Sequence, residues 1–234
     1  MRSVLEPGQR ASSSGVWRGF FGRRFFVFLI LFVAEVIVFF ALPAIPFASG
    51  EKDSYTQQAK QLGGVLNSSF VGQIAAIYVN NMKVGLIELV PGLGPLFFGL
   101  SLYETARVIQ VIAPSGFPPV LLVITLFLLP HSWIELPVYA LATGESILLL
   151  YSLMMWLLRG ERWRLRMELE QLLLVILVIS VTLLVGAVFE VTEIALGAAG
   201  LLMWGPFGAL AAAVLLFRRR VRRPEQVVVP APQA

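Results

Sequence analysis

Long apolar runs are the feature of this sequence that most restricts its fold. The clearest lie at residues 25–42, 135–158, 172–189 and 196–217, near the roughly 20 residues that a helix needs to cross a bilayer. Hydrophobic residues make up 58% of the chain and charged residues 14%, with a mean hydropathy of +0.82, whereas about a quarter of a soluble domain is charged. The sequence therefore predicts an all-α membrane protein.

The basic residues are concentrated in three segments that each flank an apolar run. Such clusters mark the cytoplasmic ends of membrane spans and attract anionic lipid, so the net charge of +4 and the pI near 9.8 do not indicate nucleic-acid binding. We expect about six spans in the cell membrane, with both termini cytoplasmic. The predicted parts are a basic cytoplasmic tail at 1–24, a transmembrane bundle at 25–217 and a basic, disordered cytoplasmic tail at 218–234.

Several stretches between the runs predict irregular or interfacial structure. Residues 54–79 mix polar and apolar side chains, which indicates an amphipathic segment after the first span. The second predicted span, 83–100, contains Pro91-Gly92-Leu93-Gly94-Pro95, which should bend or unwind a helix. The more polar residues 101–119 predict a cytoplasmic connection.

Residues 128–137 hold the only histidine of the chain between two prolines. Pro130 and Pro137 predict a kinked or broken helix, and the apolar run before Pro130 is short for a span. Since His131 and Glu135 are four residues apart, they would share a helix face and could form a hydrogen bond. Polar groups in hydrocarbon are expected to face the protein interior or a wet cavity, so this stretch is the first place to look for function.

Acidic residues recur within the apolar runs. They are Glu35, Glu88, Glu135 and Glu145, with Glu190 near the end of a run. One interpretation is structural: protonated or hydrogen-bonded side chains that fix helix pairing. The others are a transport path or proton relay and a metal or acid–base catalytic centre.

The residues needed for familiar catalytic sites are missing from the sequence. Without cysteine there is no thiol nucleophile, disulfide or thiolate ligand, and a single histidine leaves too few nitrogen ligands for a usual zinc site. No serine lies in a nucleophile-elbow context, and the Pro91–Pro95 segment lacks a P-loop lysine. We therefore predict no catalytic residue, no metal ligand and no cofactor.

Several motif residues occur in an order that resembles the stage II sporulation protein M family of polytopic membrane proteins. They are Asn80-Asn81-x-Lys83, Leu129-Pro130-His131 with Glu135-Leu136, Gly144 and Ala187-x-x-Glu190, and the resemblance covers about residues 25–217. Ser132 stands where the family often has glycine. In endospore-forming bacteria the founding member is a membrane scaffold that works with cell-wall-degrading partners, and similar proteins are widespread in non-sporulating bacteria and archaea.

The resemblance implies a non-enzymatic scaffold in an envelope- or membrane-remodelling complex. Its partners would be the lipid bilayer and other membrane or envelope proteins, with a homo-oligomer left open. The alternatives are a transporter or channel component with an intramembrane His/Glu path and, less favoured, a metal-dependent intramembrane hydrolase. The predicted buried polar core consists of His131, Glu135, Asn80, Asn81, Glu88, Glu145 and Glu190.

Overall fold

The computed structural model describes residues 13–221, with side chains at all but residues 13–21, 62, 66 and 218–221. This part of the chain is all-helical, as predicted. Its elements are α1 (Ser13–Ala41), a 3₁₀ turn (Leu42–Ala44), α2 (Glu51–Leu66), α3 (Phe70–Glu88), α4 (Gly94–Ile112), α5 (Pro119–Phe127), α6 (Pro130–Arg159), α7 (Arg162–Leu196), a 3₁₀ segment (Gly197–Met203) and α8 (Trp204–Val221).

Helices extend into both predicted tails. Residues 13–24, assigned to the N-terminal tail, already form the first turns of α1, and α8 continues to Val221. A helix can continue past the last apolar residue because arginine is a good helix former. The remainder of both predicted tails, residues 1–12 and 222–234, lies outside the described residues.

Four helical segments within the described residues are long and apolar enough to cross a membrane. They are Gly22–Ala44, Phe70–Glu88, Pro130–Arg159 and Arg162–Phe217, and the last combines α7, the 3₁₀ segment and α8. The segments differ in how much of their most apolar stretch is buried by the rest of the protein. The buried share is 44% in α6, 11% in α1 and 6% in α3. α6 is therefore the centre of the bundle, while α1 and α3 leave most of their surface uncovered by other helices.

α6 runs antiparallel to α1 and to α7. Three contacts along α1 show the direction: Arg24 with Glu145, Phe32 with Trp133, and Phe40 with Phe127. The residue numbers rise along α1 as those of its partners fall. On the other side of α6, α7 returns from the Arg162 end. Two apolar clusters fill the spaces between the helices. One contains Phe39, Phe98, Leu102, Ala106, Ile109 and Val123, and the other Leu89, Val138, Ala142, Val175, Ile179 and Leu183.

The predictions for residues 54–100 were wrong in their boundaries. α2 ends at Leu66, and a new helix begins at Phe70 because the Ser69 hydroxyl caps it, accepting from the Gly72 N–H at 3.2 Å. The second half of the predicted amphipathic segment is therefore the start of α3, a candidate span. The predicted second span is cut at Glu88, since Pro91 and Gly92, with φ of +84°, form a turn between α3 and α4.

The proline-flanked stretch is interrupted before His131. α5 ends at Phe127, Leu128 and Leu129 form the break, and Pro130 occupies the first position of α6. Proline is well accepted there because the first N–H groups of a helix have no intrahelical acceptor. α6 then continues through Pro137 to Arg159.

The end of α4 lies at the opposite end of the bundle from the basic clusters, so residues 101–119 and those clusters do not share one side as the sequence predicted. Arg107 donates through Nη1 to the Ile45 carbonyl at 2.7 Å. Ile45 follows the far end of α1, about 25 Å from Arg24 at 1.5 Å per helical residue. Polarity suggested a connection, but it carries no information on which end of the bundle the segment occupies.

Candidate functional site

Four carboxyl groups, one from each of four helices, interact with one largely buried tyrosine inside the bundle. The tyrosine is Tyr139 of α6, and it interacts electrostatically with Glu35, Glu88, Glu135 and Glu190. Glu193, one turn beyond Glu190, interacts with both Glu135 and Glu190. We call Glu35, Glu88, Glu135, Glu190, Glu193 and Tyr139 the acidic centre.

Glu35 of α1 and Glu88 of α3 are the most deeply buried members of the acidic centre. Both side chains have no exposed surface. Neither oxygen of Glu35 has a hydrogen-bond partner among the described residues, and neither has Oε2 of Glu88. Oε1 of Glu88 accepts from the Ser101 hydroxyl at 3.1 Å. Glu35 interacts electrostatically with another carboxyl, that of Glu88.

Glu135 of α6 points at α7, where a glycine makes room for it. A Cβ added at Gly186 would lie 2.7 Å from Glu135 Cγ and 2.8 Å from its Oε1. Asn81 of α3 is within hydrogen-bonding reach of the carboxyl, while Oε1 is buried without a partner. Three helices therefore meet at this carboxyl, and a side chain at Gly186 would displace it.

The predicted His131–Glu135 pair was wrong, because His131 pairs with Glu193 of α7. Glu193 bonds to the imidazole Nδ1 and accepts from the His131 backbone N–H at 3.2 Å. The reason is the position of His131 in the first turn of α6, where the backbone N–H groups have no intrahelical acceptor and attract a carboxylate. Glu193 satisfies this helix end and draws the imidazole toward α7, away from Glu135.

A second group of buried acids lies near the other end of α6, and we call it the arginine clamp. Arg24 donates from Nη1 to Glu145 at 2.9 Å and from Nη2 to Glu168. Both carboxylates are buried. The clamp joins α1, α6 and α7, so the structure separates Glu145 from the acidic centre. The sequence prediction placed Arg24 in a tail and missed both Glu168 and Tyr139. The one sequence feature that pointed to a role for Arg24 was its position directly before an apolar run.

The two asparagines of the predicted polar core differ in position. Asn80 is exposed and donates to Asn81 at 3.4 Å, so its assignment to the buried core was wrong. Adjacent residues point about 100° apart on a helix, and only Asn81 turns toward Glu135. Glu190 is partly buried, and Glu88 and Glu135 also belong to the acidic centre.

A third charged network lies outside the candidate spans, between α2 and α4. The Tyr103 hydroxyl donates to Glu51, and Arg107 lies 3.5 Å from the same carboxylate. The pKa of Glu51 is lowered from its ordinary value of 4.5, first by the Tyr103 hydrogen bond and then by the Ala48 N–H. This network fixes α2 against α4 at the Ile45 end of the bundle.

Among the described residues, no three acidic or histidine side chains converge as ligands for a metal ion. What the acidic centre can do is hold and exchange protons or bind a small cation, because its carboxyl oxygens are buried and several lack donors. No protein-family model, curated protein or solved structure matches this chain. The resemblance to the stage II sporulation protein M family stays a prediction from the motif residues.

Proposed function

We propose that this protein is a multi-pass protein of the cell membrane whose acidic centre carries protons or small cations, as part of a transporter or channel. The observation that carries the proposal is Glu35, a fully buried carboxyl that has no hydrogen-bond partner among the residues described and interacts with the equally buried Glu88. This geometry favours the transport hypothesis over a purely structural polar core.

Burying an unpaired charge inside a protein is costly. An ionised carboxylate that leaves water without a partner costs several kcal/mol, so Glu35 and Glu88 must hold a proton or share a cation. A carboxyl kept only to fix helix pairing should be hydrogen-bonded across helices, as buried polar groups usually are. Ionisable groups that lack such partners inside a membrane are by default candidates for a transport path.

The remaining members of the acidic centre extend the site along α6. Tyr139 interacts with Glu35 and Glu88 on one side and with Glu135 and Glu190 on the other. Next to Glu135 and Glu190 lie Glu193 and its imidazole partner His131. Carboxyl, phenol and imidazole groups all exchange protons, so the series provides consecutive positions for a proton.

The proposed topology has six crossings, with both termini cytoplasmic. α1, α3, α4, α7 and α8 would each cross once, and α5 with α6 would form one broken crossing. The basic residues of 159–166 and the arginine clamp would lie at the cytoplasmic end. The Arg107–Ile45 contact at the far end of α1 supports an outward crossing of α4. Single cysteines at residues 3, 108 and 163 should be labelled from outside intact cells only at 108, and labelling of either other position would contradict this topology.

A flux assay in proteoliposomes tests the function. A potassium gradient with valinomycin drives protons through wild-type protein, read by an enclosed pH dye, and parallel assays use sodium and potassium as the carried ion. We expect Glu35→Gln and Glu88→Gln to abolish the flux. Glu170→Gln, an exposed acid on α7, is the matched control and should retain it. Flux no higher than in empty liposomes for all three ions, or equal flux in Glu35→Gln, would reject the proposal.

A scaffold in an envelope- or membrane-remodelling complex is the second candidate, supported by α8 and by the family resemblance. α8 packs on the preceding 3₁₀ segment, and its large side chains, including Leu215 and Phe217, are exposed. The contacts near its start are Phe207 with Phe189 and Trp204 with the Leu128 carbonyl. A spanning helix with so little packing has surface available for another membrane protein.

Purification from the native host with mass spectrometry tests the scaffold. A Cβ at Gly208 meets nothing within 4 Å, so Gly208→Leu should leave the fold intact but prevent close approach of a partner helix. We expect a stoichiometric membrane partner to be lost in Gly208→Leu and retained in Leu215→Ile. The same partner profile in both variants would argue against α8 as the contact.

A further inference from the structure

A groove of about 510 Å³ lies where α6 ends and α7 begins. Trp156 of α6 forms one wall, and α7 forms the other with Arg162, Leu165, Arg166, Leu169, Glu170 and Leu173. These α7 residues recur every three or four positions, so they form one stripe along the helix. Glu168 is not part of this stripe, because it faces Arg24 inside the bundle.

The upper part of the stripe carries uncompensated positive charge. Arg162 is exposed and forms no ion pair within the described residues. Arg166 is paired with Glu170 at 2.7 Å, but both side chains are mostly exposed, and such pairs are weak. Over residues 159–170, Arg159, Arg162, Arg164 and Arg166 exceed Glu161 and Glu170 by two charges when the clamped Glu168 is left out. The groove therefore favours an anion at this end.

The lower part of the stripe is apolar, and the whole stripe has about the length of one membrane leaflet. Leu165, Leu169 and Leu173 continue down α7 from the two arginines, and Leu169 and Leu173 are largely exposed. The distance from Arg162 to Leu173 is about 16 Å along the helix, close to half of the roughly 30 Å hydrocarbon thickness. Trp156 and Trp163 lie at the charged end, where tryptophan typically marks the membrane interface.

We propose that this groove binds an anionic phospholipid. Its phosphate pairs with Arg162 and Arg166, whose planar guanidinium groups suit phosphate geometry, and an acyl chain follows the leucine stripe. A soluble anion would use only the upper half of the groove, so the adjoining apolar stripe favours a lipid. Basic pockets at the cytoplasmic ends of spans are the usual place for such headgroups.

Lipid binding is measured on the full chain in detergent by native mass spectrometry with phosphatidylglycerol or phosphatidylcholine. We expect wild-type protein to retain phosphatidylglycerol selectively. The double variant Arg162→Gln/Arg166→Gln should bind it about 5-fold to about 30-fold more weakly, since each basic group near an anionic surface contributes roughly a 5-fold change. Lys52→Gln/Lys60→Gln, which removes two exposed charges on α2, should bind like wild type.

Two further measurements keep the proposal testable if the double variant fails to fold. A photoreactive phosphatidylglycerol should crosslink wild-type protein at residues 156–173, and crosslinks confined to other segments would overturn the site. Inorganic phosphate at matched concentration should not displace the lipid or raise the melting temperature. Equal stabilisation by phosphate would show an anion site that does not recognise lipid, and equal retention of both phospholipids would also overturn the proposal.

Discussion

The arginine clamp and the acidic centre bury carboxylates on the same central helix, α6, but differ in their counter-charge. In the clamp, Arg24 bonds to Glu145 and Glu168 together. In the acidic centre, four carboxyls interact with Tyr139 and Glu193 lies beside two of them. Basic compensation comes from His131, which bonds to Glu193 and interacts electrostatically with Glu190. Among the described residues, no donor reaches either carboxyl oxygen of Glu35, Oε2 of Glu88 or Oε1 of Glu135.

This difference separates a structural role from a role in binding. Both clamp carboxylates bond to the one fixed guanidinium of Arg24, so the clamp can hold α1, α6 and α7 together without a further ligand. The acidic centre cannot be fully ionised as it stands, because like charges at close range repel and buried charge needs a partner. A proton or cation must complete it, and this makes its occupancy variable.

The largest effect is expected from breaking the clamp. Arg24→Met leaves Glu145 and Glu168 buried without a cation, which should lower the free energy of unfolding by about 3–5 kcal/mol. Thermal unfolding in one detergent measures it. The adjacent Arg23, which is exposed and lies over Tyr151, provides the control, since Arg23→Met should cost about 1 kcal/mol or less. Equal losses in the two variants would show that the clamp does not bear on stability.

A smaller effect is expected at the histidine that joins α6 to α7. His131→Phe and Glu193→Leu should each cost about 1–3 kcal/mol, because each leaves a buried partner unsatisfied. The double variant should recover about 0.5–3 kcal/mol of the summed loss, the range for residues in contact. The control is the double-mutant cycle of His131→Phe with Glu135→Leu, in which the two losses of unfolding free energy should add within about 0.5 kcal/mol. Stronger coupling in the control would favour the pairing predicted from helical spacing.

Glu35 should show a loss of function with little loss of stability. Glu35→Gln keeps the shape, and the carboxyl has no hydrogen bond to lose, so unfolding should change by about 1 kcal/mol or less. Glu145→Gln breaks an ion pair with Arg24 and should cost more. Thermal unfolding of both variants compares the two groups directly, and a larger loss for Glu35→Gln would mean that its carboxyl has a structural partner.

The smallest effect concerns the network of Glu51, Tyr103 and Arg107, which joins α2 to α4. Since the folded pKa of Glu51 is below 4.5, its stabilisation is present above that pH and is lost as pH falls through the folded value. Melting temperature measured from pH 7 downward should therefore fall less below pH 4.5 in Glu51→Gln than in wild type. If the melting temperatures of wild type and Glu51→Gln fell equally below pH 4.5, the Tyr103 hydrogen bond would not persist in solution.

The predicted and observed sites agree on residue types more than on partners. Glu88, Glu135 and Glu190 do lie together, and Asn81 reaches Glu135. Glu145 belongs to the clamp and Asn80 is exposed. Tyr139, Glu168 and Glu193 were missed because tyrosine is unremarkable in an apolar run, and acids near a run's end look solvated until a neighbouring helix covers them.

The amino-acid sequence by itself determined that the described chain is helical and apolar enough for a membrane, because hydropathy and run length act locally. It also located the interruptions near Pro91 and Pro130, since proline and glycine restrict their own backbone. Only the tertiary structure decided which polar groups meet. His131 bonds to Glu193, 62 residues away, and Arg24 reaches Glu145 across 121 residues. Such pairs depend on which helix faces become neighbours, and packing decides that only after every helix has formed.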